Sequence, residues 1–158
     1  MTKPYRRIAT EEAFSFQPQV DALNAMAMPL HNQQLPGREL DLIPWVRRLE
    51  PGGRDSVPEL LDLEAGRIAD MDANGVDVQL LSLTSPGVQM FETETAVAMA
   101  AAANDHLAAA IARHPTRFAG LATFAPQDPA RAAQEMERAA NAGQCGIDAS
   151  FAQFQPVE

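Results

Sequence analysis

The chain has 158 residues, with 12 Lys+Arg against 21 Asp+Glu and a formal charge of −9; that is one domain's worth of chain, since domains cluster near ~100–150 residues. Hydrophobic residues make up 46% and charged residues 21%, which excludes disorder of the whole chain. The single cysteine, Cys145, excludes an intramolecular disulfide framework and reads as a small buried hydrophobe, and the acidic balance argues against a general nucleic-acid binder, which needs a basic face for phosphates.

Arg7-Ile8-Ala9-Thr10 is the first strand candidate. Residues 17–57 then change character: Pro18, Pro29, Pro36, Pro44 and Pro51 punctuate them, with Gly37, Gly52 and Gly53. That density argues for an irregular insertion, with room for a short helix around Gln19 to Met28. Ser56-Val57-Pro58-Glu59 has the spacing of a capping box, and Leu60, Glu64, Ile68 and Met71 carry a helix on to Asn74-Gly75. Val76–Leu83 reads as a strand whose second half is nearly continuous apolar, the pattern of a parallel strand covered on both faces.

Residues 93–113 form the next predicted helix, stopped by Pro115. Its most apolar part, Ala96 to Ala112, contains ten alanines. Asn104, Asp105 and His106 interrupt it, and it falls short of the ~20 residues a membrane span needs. Phe118–Phe124 is the third strand, Asp128-Pro129 opens a helix that Gly143 ends, and Gly146–Ala149 is a fourth short strand. The N-terminus has Arg6 and Arg7 but no apolar core after them, so a secretory signal is not expected there. A soluble, cytoplasmic protein without membrane or nucleic-acid partners is expected.

The order β–insertion–α–β–α–β–α–β predicts an α/β protein with parallel strands and crossover helices. A doubly wound sheet and a (β/α)₈ barrel both begin this way. In either, ligands gather at the C-terminal ends of strands. Four segments fall there: Thr10–Phe14, Thr84-Ser85-Pro86-Gly87, Ala125–Asp128 and Ser150-Phe151. Glu11 and Glu12 are the most chemical feature, because a strand-end carboxylate can bind a hard cation or act as a base. Since neighbouring strand residues alternate, one of the two can face a site while the other points away. His106 and His114, eight residues apart on one helix, stand roughly 12 Å apart and cannot share an ion. His31 falls in the insertion, His106 reads as a surface or packing residue, and His114 suits a helix C-terminus. Ser85 has no evident His and acidic partners, so a nucleophilic triad is not supported.

Taken together, several runs resemble a known family. They are Arg7–Phe14, Arg67–Asp77, Leu81–Gln89, Ala103–Ala108, Pro115–Phe118 and Ala125–Pro129. In order and spacing the chain resembles the N-terminal half of a metal-dependent decarboxylase of the amidohydrolase superfamily. The branch is that of aminocarboxymuconate-semialdehyde, γ-resorcylate and 5-carboxyvanillate decarboxylases. The Ala9–Phe14 and Leu83–Gln89 runs are most similar to the 5-carboxyvanillate type.

The resemblance implies an incomplete (β/α)₈ barrel, about the first four β/α units, spanning 1–158 with the irregular insertion 17–57 inside it. It implies non-oxidative decarboxylation of a phenolic carboxylic acid, with Mn²⁺ or Zn²⁺ orienting the substrate. Carried over, the family's first-strand metal ligand is Glu11, and Thr84 falls in a loop that touches substrate. Where some members add a histidine, this chain has Ala13. The family's other metal ligands and its catalytic acid come from later strands, so the short chain is expected to bind metal weakly and to be inactive alone. A homo-oligomer or a complementary half-barrel is the expected protein partner, and a small aromatic carboxylate the expected ligand. A metal-dependent hydrolase and a non-catalytic, partner-binding half-barrel are the alternatives.

Overall fold

The apolar runs pair as parallel strands in chain order, β1-β2-β3-β4. The computed structural model describes residues 5–32, 55–142 and 146–147. Its elements are β1 (Ile8–Phe14), α1 (Gln17–Asn32), α2 (Val57–Leu61), α3 (Ala65–Asn74), β2 (Val78–Leu83), α4 (Thr93–Arg113), β3 (Phe118–Ala122), α5 (Pro129–Asn141) and β4 (Gly146–Ile147). Residues 33–54 of the expected insertion, Gly143, Cys145, Asp148-Ala149 and Ser150-Phe151 lie outside the described residues. The expectation of a partial (β/α)₈ barrel therefore holds in topology: consecutive parallel strands with crossover helices.

Three local readings differ from expectation. The helix in the proline-rich segment runs over Gln17–Asn32, longer than Gln19–Met28; Pro18 falls in its first turn, where a missing N–H costs nothing. The helix predicted from Pro58 to Asn74 is two helices, broken at Asp62-Leu63-Glu64. The cause is Asp62: its Oδ1 accepts from the Glu64 amide at 2.7 Å, a turn that competes with helical bonding. Nor does the capping box form, since the Ser56 side chain makes no cap bond and Asp55 Oδ1 takes the Val57 amide at 3.0 Å instead.

Elsewhere the local signals act as expected. Gly75 ends α3 with φ of 67°, in the left-handed region. Asp128 caps α5, its Oδ1 accepting from the Arg131 amide at 3.0 Å.

The core lies between the sheet and its helices. Register pairs Gln79 with Phe118 and Leu81 with Gly120, so these share one face with Leu83 and Ala122. Against that face α4 lays a stripe of Ala96, Ala100, Ala103, Leu107 and Ala110, all buried. Small residues let helix and sheet approach closely. At Gly120 a Cβ would stand 2.6 Å from Leu107 Cδ2 and 2.9 Å from Ile111 Cδ1, so a side chain there requires both of these to shift.

One polar residue sits in the stripe. Asn104 is 2% exposed. It accepts from the Thr123 amide (2.9 Å) and donates to the Thr123 carbonyl (2.8 Å) and to Glu135 Oε1 (2.6 Å). It thereby ties α4 to the end of β3 and to α5. Asn104→Ala strips the Thr123 amide and carbonyl of these bonds, while Glu135 Oε1 keeps its bond from Arg138 Nη2 at 2.8 Å, and the expected loss is about 1–3 kcal/mol of unfolding free energy in urea denaturation.

Candidate functional site on the open face of the sheet

β1 is longer than the sequence suggested and continues past both glutamates to Phe14. Its pairing explains why. Ile8 and Ala9 stand opposite Val78 and Gln79, but Glu12, Ala13 and Phe14 stand opposite Leu81, Ser82 and Leu83. Thr10 and Glu11 together therefore oppose Leu80, a β-bulge. The extra residue resets the alternation. Glu12 and Phe14 turn toward the helices with Leu81 and Leu83, and Phe14 is 1% exposed. Glu11 is left on the opposite, open face, and it is exposed. Ile8, 58% exposed, shares that face with Val78, Leu80, Ser82, Ala119 and Leu121. Glu11 thus sits mid-strand, not at the strand end the sequence suggested, because the buried anchor of β1 is Phe14.

Glu12 enters a polar chain beneath the sheet. Gln79 Nε2 donates to Glu12 Oε2 at 3.1 Å, and Gln79 Oε1 accepts from Arg67 Nη1 at 3.3 Å. Arg67 spends its other donors on main-chain carbonyls: Asp62 (2.7 Å), Glu59 (2.8 Å) and Ala13 (3.1 Å). Burial pulls the Arg67 guanidinium below its ordinary pKa, and the charge of Glu12, foremost among nearby carboxylates, opposes that pull. Sequence reasoning passed over Gln79 and Arg67 as supports of the site. The available signal was Gln79 itself, a polar residue within an apolar strand, which must find partners when buried.

Thr84 lies just past β2, 7% exposed. Its amide donates to the Phe14 carbonyl at 2.8 Å. Among the described residues its Oγ1 is buried without a hydrogen-bond partner. The loop it opens is held by two glutamines. Gln19 Nε2 donates to the carbonyls of Thr84 (3.2 Å) and Gly87 (3.3 Å). Gln127 Nε2 donates to those of Val88, Gln89 and Phe91. Thr84 is four residues beyond the level of Glu11, roughly 13 Å along the strand direction at about 3.3 Å per residue. The structure puts Glu11 within β1 and Thr84 just beyond the neighbouring strand β2, and does not bring them together.

The described histidines are structural. His106 stacks on Phe14 and Phe16, with ring centroids 6.4 and 5.8 Å away. His114, at the C-terminus of α4, pairs through Nε2 with Glu64 Oε2 at 3.1 Å. The side chain of His31 lies outside the described residues. A hollow of about 430 Å³ at the N-terminal ends of the strands, between Arg6 and Arg117, lies away from Thr84. Its Arg117 is already engaged by Asp72 at 2.8 Å and by the Asp77 carbonyl.

Among the described residues no group of three or more His, Cys, Asp or Glu side chains could hold a metal ion. Glu11 fits a hard divalent ion as one oxygen donor on an accessible face, but one donor is not a site.

The amidohydrolase family model matches residues 44–155. The chain belongs to the amidohydrolase family. Over 80 residues, 50% of this chain and 24% of the relative, it is 45% identical to γ-resorcylate decarboxylase of Polaromonas sp.. It is similar in structure to 5-carboxyvanillate decarboxylase of Sphingomonas paucimobilis, with TM-score 0.72 and 52% identity over 85% of this chain and 39% of that one. A second 5-carboxyvanillate decarboxylase, from Novosphingobium aromaticivorans, carries bound manganese and 3-methoxy-4-hydroxy-5-nitrobenzoic acid. It matches with TM-score 0.73 and 36% identity over 91% of this chain and 41% of that one. The chain thus spans less than half the length of these relatives, which by name decarboxylate aromatic acids. Among the described residues no helix is long and apolar enough to cross a membrane.

Burial between the rings holds His106 below its ordinary pKa; the Arg113 charge adds to this and Glu64 opposes it. The fold therefore favours neutral imidazole, while the unfolded chain takes up the proton near ~6.5. Stability is expected to fall as pH drops through that value toward the lower folded one. Urea midpoints measured from about pH 7.5 to about pH 5.5 should decline less in His106→Phe than in the parent.

Proposed function

We propose that this chain forms part of the barrel of a metal-dependent enzyme that removes CO₂ non-oxidatively from a phenolic aromatic carboxylic acid. The observation that carries the reading is the 52% identity to a 5-carboxyvanillate decarboxylase over 85% of this chain. In such an enzyme a divalent ion, Mn²⁺ or Zn²⁺, supplies a fixed positive centre that orients the substrate carboxylate and the neighbouring phenol oxygen.

This chain's own contribution is Glu11, offering one oxygen donor from the open face, and the loop that Thr84 opens, which by resemblance would touch the acid; the Thr84 hydroxyl is buried without a partner among the described residues. The absence of a His-x-His pattern in Ile8–Phe14 favours decarboxylation over hydrolysis.

One carboxylate does not assemble the metal centre, so these 158 residues by themselves are expected to release no CO₂ from 5-carboxyvanillate with Mn²⁺. Robust release would overturn that view. A chimaera joining this chain to the remaining barrel of the Sphingomonas enzyme tests the positive half. It is expected to decarboxylate 5-carboxyvanillate, and Glu11→Gln within it to lose roughly 100-fold or more in kcat/KM. A folded chimaera that binds Mn²⁺ yet releases no CO₂ would refute the reading.

The half-buried apolar face around Leu80 and Leu121, with Ile8 exposed beside it, supports a protein partner, either a second copy or a complementary half-barrel. Light scattering of the chain alone should show association, and a clean, stable monomer would contradict it.

A further inference from the structure

We propose that Glu12 is a positioning residue: through Gln79 and Arg67 it holds the β1 bulge and so decides that Glu11, of the two adjacent carboxylates, faces the open side. The register states what is at stake. Ala9 opposes Gln79, so without an extra residue Glu11 would oppose Leu81 and turn toward the helices, and Glu12 would take the open face. In the observed register Glu12 opposes Leu81. There its Oε2 accepts from Gln79 Nε2 at 3.1 Å, while Gln79 Oε1 accepts from Arg67 Nη1 at 3.3 Å. The same guanidinium donates through Nη2 to the carbonyl of Ala13, the next residue, at 3.1 Å. β1 is therefore gripped just past the bulge by a side chain and by its main chain at once.

The orientation of the Gln79 amide is determined by this arrangement, since its NH₂ needs an acceptor on the β1 side and its oxygen a donor on the α3 side. A carboxylate at position 12 supplies the first, and its charge offsets the buried cation that supplies the second. Phe14, 1% exposed in the same register, is the competing cause of the bulge. The two are separable because Glu12 can be changed with Phe14 intact.

The geometry stands by itself; its consequence for metal binding rests on the proposed role of Glu11. The test uses the 158-residue chain and amide hydrogen exchange. Glu12→Met keeps the length of the side chain and removes the acceptor. Glu12→Gln keeps a carbonyl for Gln79. Glu12→Met is expected to exchange about ten-fold faster at Ala9, Thr10, Glu11 and Ala13, with Gly120 and Leu121 unchanged, while Glu12→Gln stays near the parent. Parent-like exchange in Glu12→Met, equal acceleration in both variants, or acceleration spread evenly over β3 would overturn the proposal. Should Glu12→Met fail to fold, Gln79→Met cuts the same link with both charges in place. Local acceleration there supports the proposal, and a parent-like rate overturns it.

In the chimaeric barrel, Glu12→Met should weaken Mn²⁺ binding about ten-fold and Glu12→Gln little. An unmutated chimaera that binds no Mn²⁺ would remove the metal role of Glu11, and the exchange contrast would still decide the positioning role of Glu12.

Discussion

Four segments of this fold meet at one guanidinium. Arg67 bonds the carbonyl of Glu59 in α2, that of Asp62 at the break before α3, that of Ala13 in β1 and the side chain of Gln79 in β2. Removing such a cation from water is costly, and the nearby charges of Glu12, Asp62 and Asp70 offset the cost. What it secures is placement. The planar fork reaches several acceptors at fixed angles, which a lysine ammonium does not. The seating of β1 against β2, and with it the direction of both glutamates, follows from this contact and from the burial of Phe14.

How much could be read in advance depended on how local each signal was. β2, α4, the Asp128 cap and the Gly75 terminus are set by neighbours a few residues away, so periodicity and capping residues revealed them. The length of β1 was not legible, because its last three residues are strand only by pairing with Leu81, Ser82 and Leu83. The break at Asp62 was hidden for another reason: the apolar spacing across it continues to look helical, and a side-chain bond to the Glu64 amide overrides it. At the candidate site, alternation already implied that Glu11 and Glu12 part company. Which one faces outward depends on a single inserted residue that no local pattern marks. The role of Arg67 was invisible, since three of its four partner groups are main-chain carbonyls that carry no residue-type signal.

The two faces of the sheet carry different kinds of information. Toward the helices lie Phe14, Leu81, Leu83, Phe118 and the alanine stripe of α4, which specify a tight interface and tolerate little change at Gly120. Toward the open side lie an exposed carboxylate, half-buried aliphatic residues and, beyond the end of β2, a hydroxyl without a partner among the described residues. This is the division expected of a barrel sector, whose upper rim serves ligands, whose inner face packs against the inner side chains of the remaining strands, and whose outer face packs on the helices. Family membership and the aromatic-acid decarboxylases among its relatives fit that division.

The bulge in β1 also bears on how this strand can change over time. Loss of the Thr10 codon would remove the bulge yet leave both acids on the surfaces they now serve, whereas the same letters paired without a bulge would exchange those surfaces. Acidic pairs in related chains are therefore not equivalent merely because they line up by letter. The residue that matters is the one left over once both strands have been counted.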